Sequence, residues 1–81
     1  MNSLAMVDLR NAMGAQEAYH TDHQTYTNSV DNLSGAYGLA SSENVVLSMT
    51  GSASVYTITT YHTSGDKTYS FSGPGGTIIS N

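Results

Sequence analysis

The sequence predicts an α+β domain, one N-terminal α-helix packed on a three- to four-stranded antiparallel β-sheet. Three observations lead there. Residues 3 to about 22 repeat apolar positions at helical spacing, and from Asn44 onward the spacing changes to two. The chain of 81 residues holds one domain and one thin core, so the helix must cover the sheet. The expected division of the single domain 1–81 is helix 1–23, connecting loop 24–43 and β-meander 44–81.

The helical stretch is rich in Ala, Leu, Met, Gln and Glu and lacks proline, so its backbone propensity is high. At 100° per residue Ala5, Leu9, Ala12, Gln16 and Tyr19 share one face, with Ala15 at its edge. The alanines give this face a small-residue stripe that lets a sheet approach closely. Arg10, Gly14 and Glu17 fall opposite. Leu4, Met6, Val7 and Met13 lie off the main stripe, so the first half of the helix is apolar nearly all round. Such a helix is usually buried on more than one side, and a chain this short has little left to cover it.

Residues 23 to about 43 show no steady period. Asn28, Ser29, Asp31, Asn32, Ser34, Gly35, Gly38, Ser41 and Ser42 are loop chemistry. Tyr26, Val30, Leu33, Tyr37 and Leu39 recur through the segment and are expected to pin it to the domain. A connection of this length is usually functional.

The first strand alternates Val45, Leu47 and Met49 with Val46, Ser48 and Thr50. Thr50-Gly51-Ser52-Ala53 is expected to close a tight hairpin, with Gly51 at positive φ in a type II′ turn. A second strand, about 54–61, is dense in Val, Ile, Thr and Tyr. It points Tyr56 and Ile58 to one face and Val55, Thr57 and Thr59 to the other. Thr63-Ser64-Gly65-Asp66 is the next turn. Lys67 to Ser72 alternates again with Tyr69 and Phe71 on one face. A turn at Ser72–Gly76 leads to a short last strand, Thr77-Ile78-Ile79. Tyr26, Tyr37 and Tyr61 are candidates for exposure.

Composition narrows the function. Charged residues are 10% of the chain, against roughly 25% in soluble domains. The cations are Arg10 and Lys67 against six acids, a formal charge of −4. Neither nucleic-acid phosphates nor anionic lipid headgroups find the clustered Lys and Arg they need. Cysteine is absent, so no disulfide and no thiolate chemistry is available. No apolar run reaches the about 18 residues that cross a bilayer. His20 and His23, with Asp22 beside them and His62 distant, lack the defined spacing of the four ligands of structural zinc. Gly73-Pro74-Gly75-Gly76 lacks the Lys-Ser/Thr and helix N-terminus of a phosphate loop and reads as a hairpin turn. No Gly-x-Ser-x-Gly elbow is present. The reading therefore expects no enzyme, no cofactor and no metal.

Val7-Asp8-Leu9-Arg10-Asn11 resembles the small-Asp-Leu-Arg-Asn segment of bacterial type IV pilins, including the short pilins of metal-reducing bacteria. Ala15-Gln16-Glu17-Ala18-Tyr19, followed by Asp22 and Thr25-Tyr26, resembles the family's helix end with its Asp-x-x-Thr-Tyr. Tyr56-Thr57-Ile58-Thr59, Gly65-Asp66-Lys67-Thr68-Tyr69 and Gly76-Thr77-Ile78 look like its later strands and turns. The likeness covers nearly the whole chain, and the helix segment carries most of it.

The resemblance implies a pilin-like fold in which 1–23 is the C-terminal half of a longer helix. The preceding apolar half, with its leader-peptidase site, has no counterpart here, and the expectation is that it was removed and Met1 is a replacement start. It also implies a structural subunit of a type IV pilus filament serving motility, adhesion, DNA uptake or extracellular contact. Such a subunit sits on the cell surface after an inner-membrane pool, assembles with copies of itself and the pilus machinery, and meets the membrane only through the missing helix. Leu4, Met6, Val7 and Met13, with Asp8 and Arg10, are the expected assembly interface. Asp8 or Glu17 is considered as an ion-pair partner of Arg10, with a solvated pair favoured. Many pilins carry a C-terminal cysteine pair that this chain lacks, so strand pairing and the packing of Phe71 and Ile78 must hold the last hairpin. A pseudopilin of a type II secretion system is the near alternative. The calcium loop of many pseudopilins has several Asp, and Ser72–Gly76 has no acid. A free-standing secreted binding or adhesion domain is the alternative from another class.

Overall fold

The computed structural model describes residues 2–35, 37–40 and 42–80. Ser41, expected in the loop, and Met1, expected as a start, lie outside them. Helix α1 runs Asn2–His23 and a single turn, α2, spans Val30–Leu33. Strands β1 (Val45–Gly51), β2 (Tyr56–His62), β3 (Thr68–Gly73) and β4 (Ile79–Ser80) follow. They form one antiparallel meander in the order β1-β2-β3-β4, covered on one face by α1. The α+β architecture is as the periodicity implies.

Ala5, Leu9, Ala12 and Ala15 of α1 are buried against Val45, Met49, Tyr56, Ile58, Tyr69 and Phe71 of the sheet. The alanines leave room for the helix backbone to lie close to β2. Thr60 of β2 donates its hydroxyl to the Ala5 carbonyl across the core at 2.8 Å. Tyr56, Ile58, Thr60 and His62 form the inward row of β2, while Thr57 and Tyr61 face out. Ser48, Thr50, Thr57 and Ser72 give the outer face its uncharged, hydroxyl-bearing surface.

The connection is pinned as expected through Tyr26, Leu33 and Leu39, all buried, with Val30 and Tyr37 packed at the edge. Tyr26 was a candidate for exposure and is instead 6% exposed, its ring against Tyr56 at 4.6 Å. Tyr61 is exposed. Helix α2 was not expected, because four residues are too few to display a helical period.

The first hairpin differs from the expectation. Gly51 is the last residue of β1, opposite Tyr56, and is not among the residues with positive φ. The reversal is made by 52–55, closed by the Ser52 N–H on the Val55 carbonyl at 2.8 Å. Glycine is required at 51 for another reason. A Cβ there would stand 2.5 Å from the Thr27 carbonyl oxygen, where the chain leaving α1 crosses the end of β1. Tyr26 donates its N–H to the Ser52 carbonyl at 3.0 Å in the same crossing. Strand β2 accordingly starts at Tyr56 rather than 54. The last strand is also shifted, with Ile79 and Ser80 pairing Ser70 and Tyr69. Ile78 packs on the core ahead of it.

Gly51→Ala is expected to destabilise the domain by about 1–3 kcal/mol, because the Thr27 backbone must move to admit the methyl. Urea unfolding of the two proteins measures this, and an unchanged midpoint would contradict the close crossing.

Candidate functional site: a helix clamped on one side and open on the other

Polar side chains on the buried side of α1 hold the loop and sheet to it. Gln16 is fully buried, and its amide grips the Thr27 backbone at both ends. Nε2 donates to the Thr27 carbonyl at 2.6 Å and Oε1 accepts the Thr27 N–H at 3.1 Å. The side chain thus replaces a backbone partner for a segment that has left the helix, and Thr27 itself is buried. Glutamine suits this task because it carries a donor and an acceptor side by side.

Asp8 is 1% exposed. Its carboxylate accepts the Ser42 N–H at 2.6 Å and the Ser42 hydroxyl at 2.9 Å. The Ser42 carbonyl accepts the N–H of Val45, the first residue of β1, at 3.1 Å. Asp8 therefore ties the helix to the start of the sheet. Glu17 accepts the Tyr56 hydroxyl at 3.1 Å. The carboxylates considered as partners of Arg10 are thus engaged by the domain itself, and Arg10 stands on the exposed surface.

Aromatic rings close the C-terminal end of α1. His20 stacks on Tyr26 with centroids 4.4 Å apart, and His23 lies against Tyr19 at 4.3 Å. Tyr37 meets Tyr19 edge-on and donates its hydroxyl to Asp22 at 2.7 Å. His62 lies at the end of β2, its Nδ1 accepting the Ser64 N–H at 2.9 Å. Two of the imidazoles weighed as metal ligands thus stack on tyrosines, and the third bonds a turn. Among the described residues no group of three or more His, Cys, Asp or Glu is set to hold a metal ion. Burial holds the Tyr56 hydroxyl well above its ordinary titration range, aided by its bond to Glu17 and the charge there. Burial, then Glu17, raises Tyr26 as well, and the bond to Asp22 raises Tyr37.

The expected interface residues divide. Leu4 and Val7 are 40% and 49% exposed. Met6 and Met13 are half-buried and pack on the domain's own core, so the outward apolar surface is smaller than the sequence implies. Asp8 is a buried clamp rather than a surface charge. Two shallow depressions of about 200 and 100 Å³ lie along β1 and β2, lined by Thr50, Gly51, Ser52 and Val55 and by Ser48, Met49 and Thr59. Both are smaller than the about 300–1,000 Å³ typical of small-molecule sites. The outer side of α1 exposes Leu4 and Val7, and the sheet and its turns expose Val46, Val55, Tyr61 and Ile79. Comparison of the sequence with protein-family models finds no match, and comparison with curated proteins finds none either.

The role of Gln16 was visible only as an amide inside an apolar stripe. That of Asp8 was signalled by its place on the helical wheel, between Tyr19 and Ala15. Their partners Thr27 and Ser42 carry no sequence signal.

Gln16→Leu leaves the buried Thr27 N–H and carbonyl without partners and is expected to cost about 2–4 kcal/mol in urea unfolding. A loss below about 0.5 kcal/mol, the ordinary surface level, would show that the grip is unimportant. Raised tyrosine pKa values mean that the folded state keeps protons the unfolded state releases. Their contribution is complete below the ordinary tyrosine value of 10.0 and falls as pH rises beyond it. Unfolding midpoints followed from about pH 9 to about pH 11.5 should decline, and Tyr56→Phe should flatten the decline. An equal slope in both proteins would contradict the assignment to Tyr56.

Proposed function

We propose that this chain is the globular part of a type IV pilin, a structural subunit of a cell-surface filament. The observation that carries the reading is the division of α1. One side of a 22-residue helix is clamped to the sheet, while Leu4 and Val7 stand exposed on the other. The Asp-Leu-Arg-Asn segment on the same helix supports it through the resemblance described above. In this reading α1 continues an apolar helical segment that anchors the subunit in the inner membrane before assembly. The helices then bundle, and the hydroxyl-rich outer face of the sheet becomes filament wall. The role is mechanical. Asp8 and Gln16 keep the domain attached to the helix under load, and Leu4 and Val7 meet neighbouring subunits.

Antibodies raised against residues 2–80 should label filaments sheared from cells that carry the gene. The codons upstream should encode a leader-peptidase site and about 25 apolar residues, enough to cross a bilayer. Labelling confined to soluble culture protein, with an ordinary secretion signal upstream, would overturn the reading in favour of a free-standing secreted domain.

A further inference from the structure

The outer side of α1 has an ordered pattern. Leu4, Val7, Asn11, Gly14, Ala18 and Thr21 recur at alternating spacings of three and four, and every one is exposed. This is the spacing that keeps one seam of a helix facing a second helix. The seam carries no charge. It is large at its N-terminal end and small towards its C-terminal end. A Cβ at Gly14 would meet nothing within 4 Å, so the helix backbone is open to approach there.

The two flanks of the seam differ. On one, Asp8 and Ala15 are buried, and Asp22 is tied by the Tyr37 hydroxyl, so the loop already occupies it. On the other stand Ser3, Arg10 and Glu17, all exposed. Arg10 and Glu17 are seven residues apart, about 10.5 Å along the axis. The Tyr56 hydroxyl on Oε2 holds the Glu17 carboxylate in place.

We propose that this face binds a second copy of the chain, with the two α1 helices antiparallel about a two-fold axis. Charge selects that arrangement. Antiparallel helices set like flanks together, so the open flank of one copy faces the open flank of the other. Arg10 then pairs with the second copy's Glu17, twice in the dimer. Parallel helices would instead set Arg10 near the second copy's Ala15 and Glu17 near its Asp22, a like-charge contact. The same register places Leu4 against Thr21, Val7 against Ala18 and Asn11 against Gly14, so larger side chains meet smaller ones in each layer. The helix dipoles oppose favourably in this orientation, and two-fold closure is the commonest form of self-association. The inference is independent of the filament reading. The dimer covers Leu4 and Val7, so a subunit is either in the dimer or in a filament. Failure of either proposal leaves the other standing.

The chain as it stands should show a monomer–dimer equilibrium by analytical ultracentrifugation, with a dissociation constant of about 0.1–1 mM given so modest an apolar seam. Arg10→Glu alone, or Glu17→Arg alone, should weaken association at least about tenfold by setting like charges together. An equimolar mixture of those two variants should restore it, since each then faces its opposite. Glu17→Gln, which keeps an acceptor for Tyr56, serves if Glu17→Arg does not fold, and should also weaken association. Because the chain has no cysteine, Asn11→Cys mixed with Gly14→Cys reports orientation through disulfide formation. A protein monomeric at millimolar concentration would overturn the proposal. So would a mixture that fails to re-associate, or preferential crosslinking of Val7→Cys to Gly14→Cys, the pair of a parallel arrangement shifted by seven residues.

Discussion

The grip of Gln16 on the Thr27 backbone is the constraint on which the rest of the structure depends. A helix of this length laid on a small sheet must be followed by a chain that turns back across its own end. The backbone of that return leaves the helix without helical partners, yet it passes through buried space. Gln16 supplies the donor and the acceptor it needs. With Thr27 fixed, Tyr26 reaches the end of β1, its ring enters the core beside Tyr56, and β1 must carry glycine where the two backbones cross. Asp8 repeats the device at the other end of the loop. Ser42 is held there as the chain enters β1.

These clamps explain how a domain without disulfides, and with few charges, stays on a helix whose buried face is half alanine. Alanine buries little area, so close approach and polar contacts must contribute what bulky packing would give elsewhere. They also explain the asymmetry of α1. The buried arc takes Ala5, Asp8, Leu9, Ala12, Ala15 and Gln16. The loop covers one flank, and what remains is a strip from Leu4 to Thr21. The proposed filament contact and the proposed dimer both arise from that strip, because the fold leaves it free.

The sequence revealed the elements better than their contacts. Helix α1, β2 and β3 were legible because each shows one period over enough residues for hydrophobic burial to impose it. The inward rows of Tyr56 and Ile58 and of Tyr69 and Phe71 follow directly from alternation. The first hairpin was misread because Gly51 satisfies a close approach by Thr27, a residue distant in the chain, rather than a turn angle of its own. Helix α2 is too short to carry a period. The candidate surface was legible in part. Leu4, Val7 and Arg10 are outside as expected, but Met6 and Met13 bend onto the domain's core, which long flexible side chains at the edge of a stripe can do. Asp8 is expected at the interface or beside Arg10, but Ser42 engages its carboxylate from 34 residues away, and no sequence pattern links the two.

Hydrogen exchange on the native protein tests the central claim, that α1 and the sheet are clamped into one cooperative unit. The amides of residues 9–16 and of 58–60 should open with the same free energy, and both should track global unfolding. Exchange of the helix amides at a distinctly lower free energy than those of β2 would show that the helix detaches on its own and would contradict the account.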